Sequence, residues 1–546
     1  MTQSHPEWGK GTGSGLKFGV MGAGSVGSSM IHALSRFYPY EVYDICESYP
    51  FERLLGCDAV FICVPTNADA DGRLDCSVVS ECIGRLVSSG YGGVVVVKST
   101  LRVGYCDALR SRVPDLRLVY MPEFLRERNC YSWCSDPDRL VVAGRDDDVD
   151  VALAFFDWMD GSVVPQRMSY AEAEFGKVVH NAYIATKVSF TNSIEIASKA
   201  GGMDPEKVMG VVWADRRVVS REHLRPGLGG FAGKCIPKDT SEAIGYMGEV
   251  GADTSLMESV VHVNSMVVPS ESPPLPDVYV IVPVSQQDLL YERALESLSR
   301  QSVRPAKVLV SYDESTGLSD SLAETVGRLS DVLGIELVCN RRAQSLSGAV
   351  NSALTMVPDE GDPFVSVLDD DDFWDTRYLQ NCLKFAEDVG CDMVVSGLIR
   401  HDAEHPEGFR QSIPDSLSIH DFLVGNPGVQ GSNLFVRASR LRSAGGFSED
   451  LVSTTDRDVC IRLLQGGTRV GILHNHMVHH DAVSRRGRLS DFNGDRKRQG
   501  LSEFYIRYRG MMDGSEREAF HRRSRELFGI DTSQLDGEAE RWISLW

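Results

Sequence analysis

The sequence predicts an α/β protein with two doubly wound layers and a helical segment between them, and three observations carry that reading. Residues 16–43 run apolar strand, glycine-rich turn, helical pattern, strand, and further strand–turn units continue to Phe124. A long helical pattern occupies Tyr170 to Ala200. From Val278 apolar strands and amphipathic helices alternate once more, and one strand runs straight into four aspartates. Alternation of this kind implies mostly parallel sheets. At 546 residues the chain exceeds what one hydrophobic core supports. The expected division is a loose tail over 1–15, an α/β domain over 16–165, a helical domain over 166–267, a Pro-rich spacer over 268–276, a second α/β domain over 277–485 and a helical extension over 486–546.

A formal charge of −21 argues against a general polyanion binder. The 13 cysteines include no Cys-x-x-Cys pair, Cys130 and Cys134 being the nearest couple. Neither a zinc ribbon nor a secreted disulfide framework is indicated, and a reducing cytoplasm fits. The opening MTQSHPEWGKGTGSG has no apolar core for a signal peptide, and no run reaches the length of a membrane span.

In the first domain, Leu16 to Met21 leads into Gly22-Ala23-Gly24-Ser25-Val26-Gly27 and then a helical pattern to Phe37. That order suits a dinucleotide in a Rossmann domain. Gly22 permits the tight turn, Gly24 lets the backbone approach a pyrophosphate, and Gly27 lets helix pack on strand, with Ser25 and Val26 in the loop between. The second strand, Glu41 to Tyr43, ends in Asp44, placed to hold the adenosine ribose and so to favour NAD over NADP. Ala59 to Val64 and Gly93 to Val97 end in Pro65-Thr66-Asn67 and Lys98-Ser99-Thr100. Ligands gather at such strand ends, so Thr66, Asn67, Ser99 and Thr100 either line the crevice or cap helices. A strand at Val119 ends in Pro122-Glu123, with Glu127 four residues on. Two such carboxylates suit acid/base or water-holding work, and a solvated surface pair is the alternative.

Ser169-Tyr170-Ala171-Glu172 is a capping box that starts the long helix, and Gly201-Gly202 stops it. Lys177 and Asn181 lie i, i+4 on one face among Phe175, Val178, Ile184 and Val188, so the pair faces solvent or reaches into a site. The loop Gly229-Gly230-Phe231-Ala232-Gly233-Lys234-Cys235-Ile236-Pro237-Lys238-Asp239 sets one cysteine between two lysines and ahead of an aspartate. That setting suits an activated thiol, against the alternative of a small buried apolar residue.

GAGSVG, CVPTN, KSTLRVG, MPEFLRE, EFGKVVHNAYIATKVSFTNSIEIA and GGFAGKCIPKD, in this order, resemble the UDP-glucose/GDP-mannose dehydrogenase family over residues 16–267. The resemblance implies a four-electron oxidation of a sugar nucleotide's primary alcohol to a carboxylate with two NAD⁺ in turn. It makes Cys235 the nucleophile that captures the aldehyde, and Lys177 and Asn181 the donors that steady the oxyanion. Asp239 and Thr100 would position water, Glu123 would act in acid/base steps, Glu127 would support the site, and Gly230 and Lys238 would meet the substrate. It further implies a homodimer through the long helix. One departure stands out: members of the family continue into a third domain that clamps the nucleotide, whereas this chain turns into Val267-Val268-Pro269-Ser270-Glu271-Ser272-Pro273-Pro274-Leu275-Pro276, a semi-rigid spacer.

In the second half, Val278 to Pro283 is followed by a helix with Leu289, Leu290, Ala294, Leu295 and Leu298, then by a strand from Lys307 that ends near Asp313. Phe364 to Leu368 runs into Asp369-Asp370-Asp371-Asp372-Phe373-Trp374. Four carboxylates at a strand end repel one another unless a cation relieves them, and hard oxygens suit Mg²⁺ or Mn²⁺ bridging a diphosphate. A solvated acidic loop is the alternative. IVPVSQQDLLYERALESL, VLVSYDEST, SLSGAVNSAL, VSVLDDDDFW, AGGFSEDL and TTDRDVCIRLLQGG resemble family 2 glycosyltransferases of the GT-A fold over residues 277–485. The resemblance implies that Asp313 contacts the nucleotide and that Asp369 and Asp371 hold metal and sugar diphosphate. Asp456 is implied as the base of an inverting transfer, with Thr455 in the place of the usual Glu. His479 or His480 is read as a further metal ligand or a structural histidine, and residues 425–433 as an acceptor-side loop. Arg485, Arg486, Arg488, Arg496, Lys497 and Arg498 form a basic cluster, either a solvated face or a contact to a phosphate-bearing acceptor.

The expected protein is a cytoplasmic bifunctional enzyme. It oxidises a nucleotide sugar, with UDP-sugars favoured, and transfers a sugar to an unidentified acceptor hydroxyl. The alternative keeps the transferase and makes the first half a non-catalytic NAD-binding or scaffolding module.

Overall fold

Each half of the chain is organised around one twisted sheet, and the strands of the first show why. In the computed structural model, residues 15–47, 49–159, 163–215, 229–233, 235–250, 253–267, 276–285, 291–482 and 494–536 are described. The tail over 1–14, Lys234, most of the spacer, Leu289, Leu290, Arg485, Arg486 and Arg488 lie outside them, as does the side chain of Glu127. Packing divides the chain into two units, Met1–Pro274 and Leu275–Trp546.

In the first unit β1 (Phe18–Met21), β2 (Tyr40–Tyr43), β3 (Ala59–Ile62), β4 (Val94–Val97), β5 (Leu118–Tyr120), β6 (Val141–Gly144) and β7 (Gln166–Arg167) form a sheet of order β2-β1-β3-β4-β5-β6-β7. All pairings are parallel except β5 with β6. Val94 and Val96 enter one apolar layer and Val95 and Val97 the opposite one, so continuous valine marks a strand covered on both faces. The connecting helices are α1 (Ser25–Leu34), α2 (Ser77–Ser88), α3 (Tyr105–Arg112), α4 (Cys130–Ser135) and α5 (Asp146–Ala154).

The sheet hands over to α6 (Tyr170–Ala200), whose capping box is formed: Glu172 Oε2 accepts from Ser169 N at 2.8 Å and from Ser169 Oγ at 2.7 Å. Then come α7 (Pro205–Ala214), α8 (Ile236–Glu249) and α9 (Ser255–Ser265), with α8 and α9 both packed on α6. Two fully buried carboxylates bind this helical layer to the sheet layer. Glu174 of α6 accepts from Gly104 N at 2.6 Å and Cys106 N at 2.8 Å, capping α3 where no local side chain does so. Glu242 of α8 takes Arg73 in a two-pronged pair, both contacts 2.9 Å, and also Leu74 N at 2.9 Å.

In the second unit β8 (Val278–Pro283), β9 (Lys307–Asp313), β10 (Ile335–Asn340), β11 (Phe364–Val367), β12 (Phe373–Trp374), β13 (Met393–His401), β14 (Phe409–Arg410), β15 (Leu434–Arg437) and β16 (Val470–Asp481) form a nine-stranded mixed sheet. Its path is β10-β9-β8-β11-β15-β13-β16-β12, with β14 beside β13. β8 to β11 are mutually parallel, and the strand order reverses between β8 and β11, the place where such sheets open a crevice. The helices are α10 (Tyr291–Ser299), α11 (Asp320–Leu333), α12 (Leu346–Leu354), α13 (Tyr378–Val389), α14 (Ile419–Val424), α15 (Ala438–Ser443), α16 (Thr455–Gln465), α17 (Asp495–Tyr508) and α18 (Gly514–Phe528). The helical extension expected over 486–546 contributes to the transferase core. Leu501, Phe504, Tyr505, Tyr508 and Phe520 belong to the same buried core as strands β11, β13 and β15.

Candidate active sites

The glycine loop leaves β1 at the point where β1 and β3 diverge in connection. Gly22 has φ +91°, and a Cβ there would lie 2.9 Å from Cys63 O. A Cβ on Gly27 would lie 2.0 Å from Gly22 O, so helix and turn touch through bare backbone. α1 begins at Ser25 with Gly24 before it and no side chain capping its amides, which leaves them for an anion. Asp44, buried at the end of β2, accepts from Ala23 N at 2.8 Å and Cys46 N at 2.9 Å and so stands against this loop. The cradle fits a dinucleotide. Thr66 is buried at the end of β3 and Thr100 half-buried beyond β4. The Ser99 hydroxyl donates to Val64 O at 2.6 Å and ties the ends of β3 and β4 together.

The thiol site forms where α6 crosses the start of α8. Cys235 occupies the N-cap position of α8 and is exposed, and the helix start favours negative charge there. Asp239, one turn on, is fully buried. Its Oδ2 accepts from Asn181 Nδ2 at 2.6 Å and its Oδ1 pairs with Lys238 Nζ at 2.5 Å. Lys177, one turn before Asn181, is buried, and its ammonium is held below the usual lysine range by burial, opposed by the neighbouring Asp239 and Cys235. Lys177, Asn181, Cys235, Lys238 and Asp239 are thus brought together, and the aromatic ring of Phe124 lies 5.3 Å from Lys177 Nζ.

Glu123 and Gly230 have partners of their own. Glu123 pairs with Lys98, whose buried ammonium desolvation pushes down to about 8, and no described contact joins Glu123 to the cysteine loop. Glu127 opens a short helical turn, Glu127–Asn129. Gly230 serves packing: a Cβ there would lie 3.0 Å from Asn264 Oδ1 and 3.1 Å from Val267 O. Sequence reasoning missed the two asparagines that hold this loop. Asn264 accepts from Phe231 N at 2.6 Å and donates to Phe231 O at 3.0 Å, and Asn192 donates to Gly229 O at 2.9 Å. Asn264 follows Val260, Val261 and Val263 on its helix, a polar residue after an apolar run, whereas Asn192 sits among Ser189, Thr191 and Glu195 and carried no such signal.

In the second unit the acidic run sits at the crevice between β8 and β11. Ligand oxygens of Asp369, Asp371 and Asp372 lie within 4.8 Å of one another. Asp369 Oδ1 is buried without a hydrogen-bond partner among the described residues, and its carboxyl is held well above the usual range by burial and then by Asp372, Asp371, Asp456 and Asp370. An orphaned buried oxygen among repelling carboxylates fits a divalent cation. Asp370 is used structurally, accepting from Ser285 N at 2.6 Å across the crevice. Asp313 ends β9 on the same edge and is oriented by Asn340 Nδ2 at 2.6 Å. Gly431, within the expected acceptor-side loop, stands between Asp369 and Asp456: a Cβ on it would lie 3.5 Å from Asp369 Oδ1 and 3.8 Å from Asp456 Oδ1.

Asp456 lies in the first turn of α16, after Thr454 at φ +65°, a left-handed conformation costly for a β-branched residue. Burial pushes its carboxyl up to about 6, against the opposing pull of Lys497, His480 and the Gly431 amide. The histidine assignment is corrected. His479 stacks on Phe373, its Nε2 meets Asp375 Oδ1 at 3.0 Å and its Nδ1 meets His401 Nε2 at 2.9 Å, so both ring nitrogens are taken away from the cluster. Alternation along β16 turns the next residue inward, and His480 Nδ1 meets Asp372 Oδ1 at 3.1 Å. Lys497 also differs from a solvated basic face, being half-buried beside Asp456.

Residues 48–155 match the NAD-binding domain and residues 171–266 the central domain of the UDP-glucose/GDP-mannose dehydrogenase family, and residues 279–443 match glycosyl transferase family 2. The chain joins members of these two families. The chain is similar to a UDP-glucose 6-dehydrogenase of Streptococcus pneumoniae, 25% identical over 346 residues, 55% of this chain and 87% of that one. It is 30% identical over 220 residues to a UDP-glucose 6-dehydrogenase of Bacillus subtilis, covering 39% of this chain and 49% of the relative. It is also 30% identical over 231 residues to a GDP-mannose 6-dehydrogenase of Pseudomonas syringae, covering 39% and 52%. Against the last two, the chain spans about half the relative's length. The families are those of an oxidoreductase with an NAD-binding domain and a glycosyltransferase. No described helix is long and apolar enough to cross a membrane.

Proposed function

We propose that the dehydrogenase unit oxidises the primary alcohol of a nucleotide sugar to the uronate and that the transferase unit passes a sugar from a nucleotide donor to an acceptor hydroxyl with inversion. The observation that carries the first half is the convergence of Lys177 and Asn181 with Cys235 and Asp239. Bound in the glycine cradle beside Asp44, NAD⁺ supplies the hydride acceptor for each of two successive oxidations. Cys235 adds through sulfur to the aldehyde carbon, and the new alkoxide is met by the Lys177 ammonium and the Asn181 amide, donors already fixed in place. Loss of the second hydride makes a thioester, which water cleaves, returning the thiol. Asp239 holds both Asn181 and Lys238 in position for these steps and orients that water with Thr100. Glu123, bound to Lys98, is assigned the acid/base steps, and Glu127 supports it.

In the transferase, Asp369, Asp371 and Asp372 would hold Mg²⁺ or Mn²⁺, whose charge would offset that of the donor diphosphate. Asp313 receives the nucleotide. Asp456 takes the acceptor's proton as its oxygen attacks the anomeric carbon from the face opposite the leaving diphosphate. UDP-sugars are the favoured substrates, an uronate made by one unit is the natural donor for the other, a dimer forms through α6, and the cytoplasm is the setting. A non-catalytic first unit is the competing reading, because residues 267–276 run into a Pro-rich spacer where the resemblance implies a third, nucleotide-clamping domain.

The purified chain incubated with NAD⁺ and a panel of UDP- and GDP-hexoses tests the proposal. Two NADH per sugar consumed, lost in Cys235→Ala, is the expected result. Bound NAD⁺ with no sugar oxidised would favour the non-catalytic reading.

A further inference from the structure

The transferase site concentrates negative charge. Asp369, Asp371, Asp372 and Asp456 stand around the crevice, and a donor adds its diphosphate. A uronosyl donor brings one more carboxylate, on the sugar itself, and needs a cation near the base that is not already committed.

The neighbouring cations differ in how they are used. Arg293 donates to Asp371 O at 2.7 Å and to Asp481 Oδ2 at 2.7 Å. Arg457 is buried, spends its guanidinium on the carbonyls of Phe422 and Leu423, and lies 4.1 Å from the Phe504 ring. Lys497 makes no hydrogen bond or ion pair with any described residue; its ammonium lies 4.3 Å from the Phe528 ring and within electrostatic reach of Asp456. Holding an ammonium half-buried without an ion-pair partner disfavours the charge unless a ligand completes the site.

Its position is built. On the same face of α17, Gly500 touches the loop that leads to Asp456, since a Cβ there would lie 2.0 Å from Ser453 Oγ and 2.7 Å from Ser453 N. Farther along that face Glu503 Oε2 accepts from Val452 N at 3.3 Å, Arg507 Nη1 donates to Asp458 Oδ1 at 2.9 Å and Tyr508 OH to the same oxygen at 2.7 Å. The spacing i, i+3, i+6, i+10 and i+11 fixes α17 along the base's own loop and helix, and so fixes Lys497 at the base.

We propose that Lys497 selects the donor, its ammonium receiving the carboxylate of a uronosyl group. The inference rests on the transferase reading above and gives that site its substrate class: nucleoside diphosphate uronates rather than the parent hexoses.

Release of nucleoside diphosphate by the full chain, with Mn²⁺ and without NAD⁺, reports on the transferase alone, water standing in for the acceptor. In that reaction the water oxygen bonds to the anomeric carbon, its proton passes to Asp456, and the bond to the diphosphate breaks. UDP-glucuronate is compared with UDP-glucose and GDP-mannuronate with GDP-mannose, Asp456→Asn giving the background. The expected kcat/KM ratio favours one uronate over its hexose by at least about tenfold. It falls on the order of ten- to a hundredfold in Lys497→Gln, the range of one charge-assisted contact, and returns in Lys497→Arg. A parent ratio near one for both nucleotides overturns the proposal. So does a ratio unchanged in Lys497→Gln while both rates fall, which would place the ammonium on the diphosphate or on the base. Because the uronates are added ready-made, failure of the NADH assay leaves this outcome independent, and absence of release from every donor sinks the transferase reading itself.

Discussion

Asp456 shows at the level of one side chain how burial and chemistry are set against each other. A carboxylate in the first turn of a helix is ordinarily favoured, yet desolvation outweighs that and raises this one to about 6. With the folded value above the unfolded one, the native state binds this proton more tightly. The group's contribution to stability is therefore full below the unfolded value and is lost as pH rises through about 6. Asp456→Asn should raise the melting temperature at pH 8 relative to the parent and do so less at pH 5, while reducing transfer by a factor on the order of 10² to 10⁴. Melting curves at both pH values and a transfer assay check it; equal melting shifts at the two would refute it. The i, i+4 spacing of Lys177 and Asn181 put them on one helix face but left solvent and a site both open, and the family resemblance supplied the role. Lys497 beside Asp456 was not legible, since the two belong to different helices and nothing local records which face of α17 meets the base.

At the level of elements, valine runs, glycine turns and the Ser169–Glu172 box carried most of the secondary structure into view. The strand ending at Pro283 and the helix from Tyr170 to Ala200 form with their expected ends. What local pattern did not show is how the cysteine loop is held. Asn264 of α9 pairs with both the amide and the carbonyl of Phe231, four residues before Cys235, and a polar residue on a helix names no partner by itself. Removing that bracket leaves two loop groups without their partners, a loss of about 1–3 kcal/mol. Asn264→Ala should therefore lower the melting temperature and cut kcat for NADH formation more than it alters KM, because the thiol's placement rather than substrate contact is disturbed. A change confined to KM would argue against it. His479 and His480 give the complementary lesson: alternation along a strand states that neighbours face opposite ways, but the register of β16 against β12 decides which one meets Asp372.

For the whole molecule, the two units each own a sheet and a core, so unfolding should follow two transitions rather than one. NAD⁺ at about a hundred times its dissociation constant should stabilise only the first by about 2.7 kcal/mol, and Mn²⁺ with a nucleoside diphosphate only the second. Differential scanning calorimetry with each ligand separates them, and a single transition moved by both would refute the division. The two-family composition was readable from ordered motifs, while the membership of the C-terminal helices in the transferase core was not, because their exposed faces are strongly polar. Gly500 against Ser453 carries a practical consequence for transplanting this catalyst into other chains. The stretch matched by the transferase family stops at residue 443, yet Asp456, His480 and Lys497 come later. Further on, Tyr505 and His521 both bind Asp536. A portable cassette therefore has to extend through that aspartate, and a chimera spliced at the family boundary would inherit the acidic cluster without the machinery that faces it.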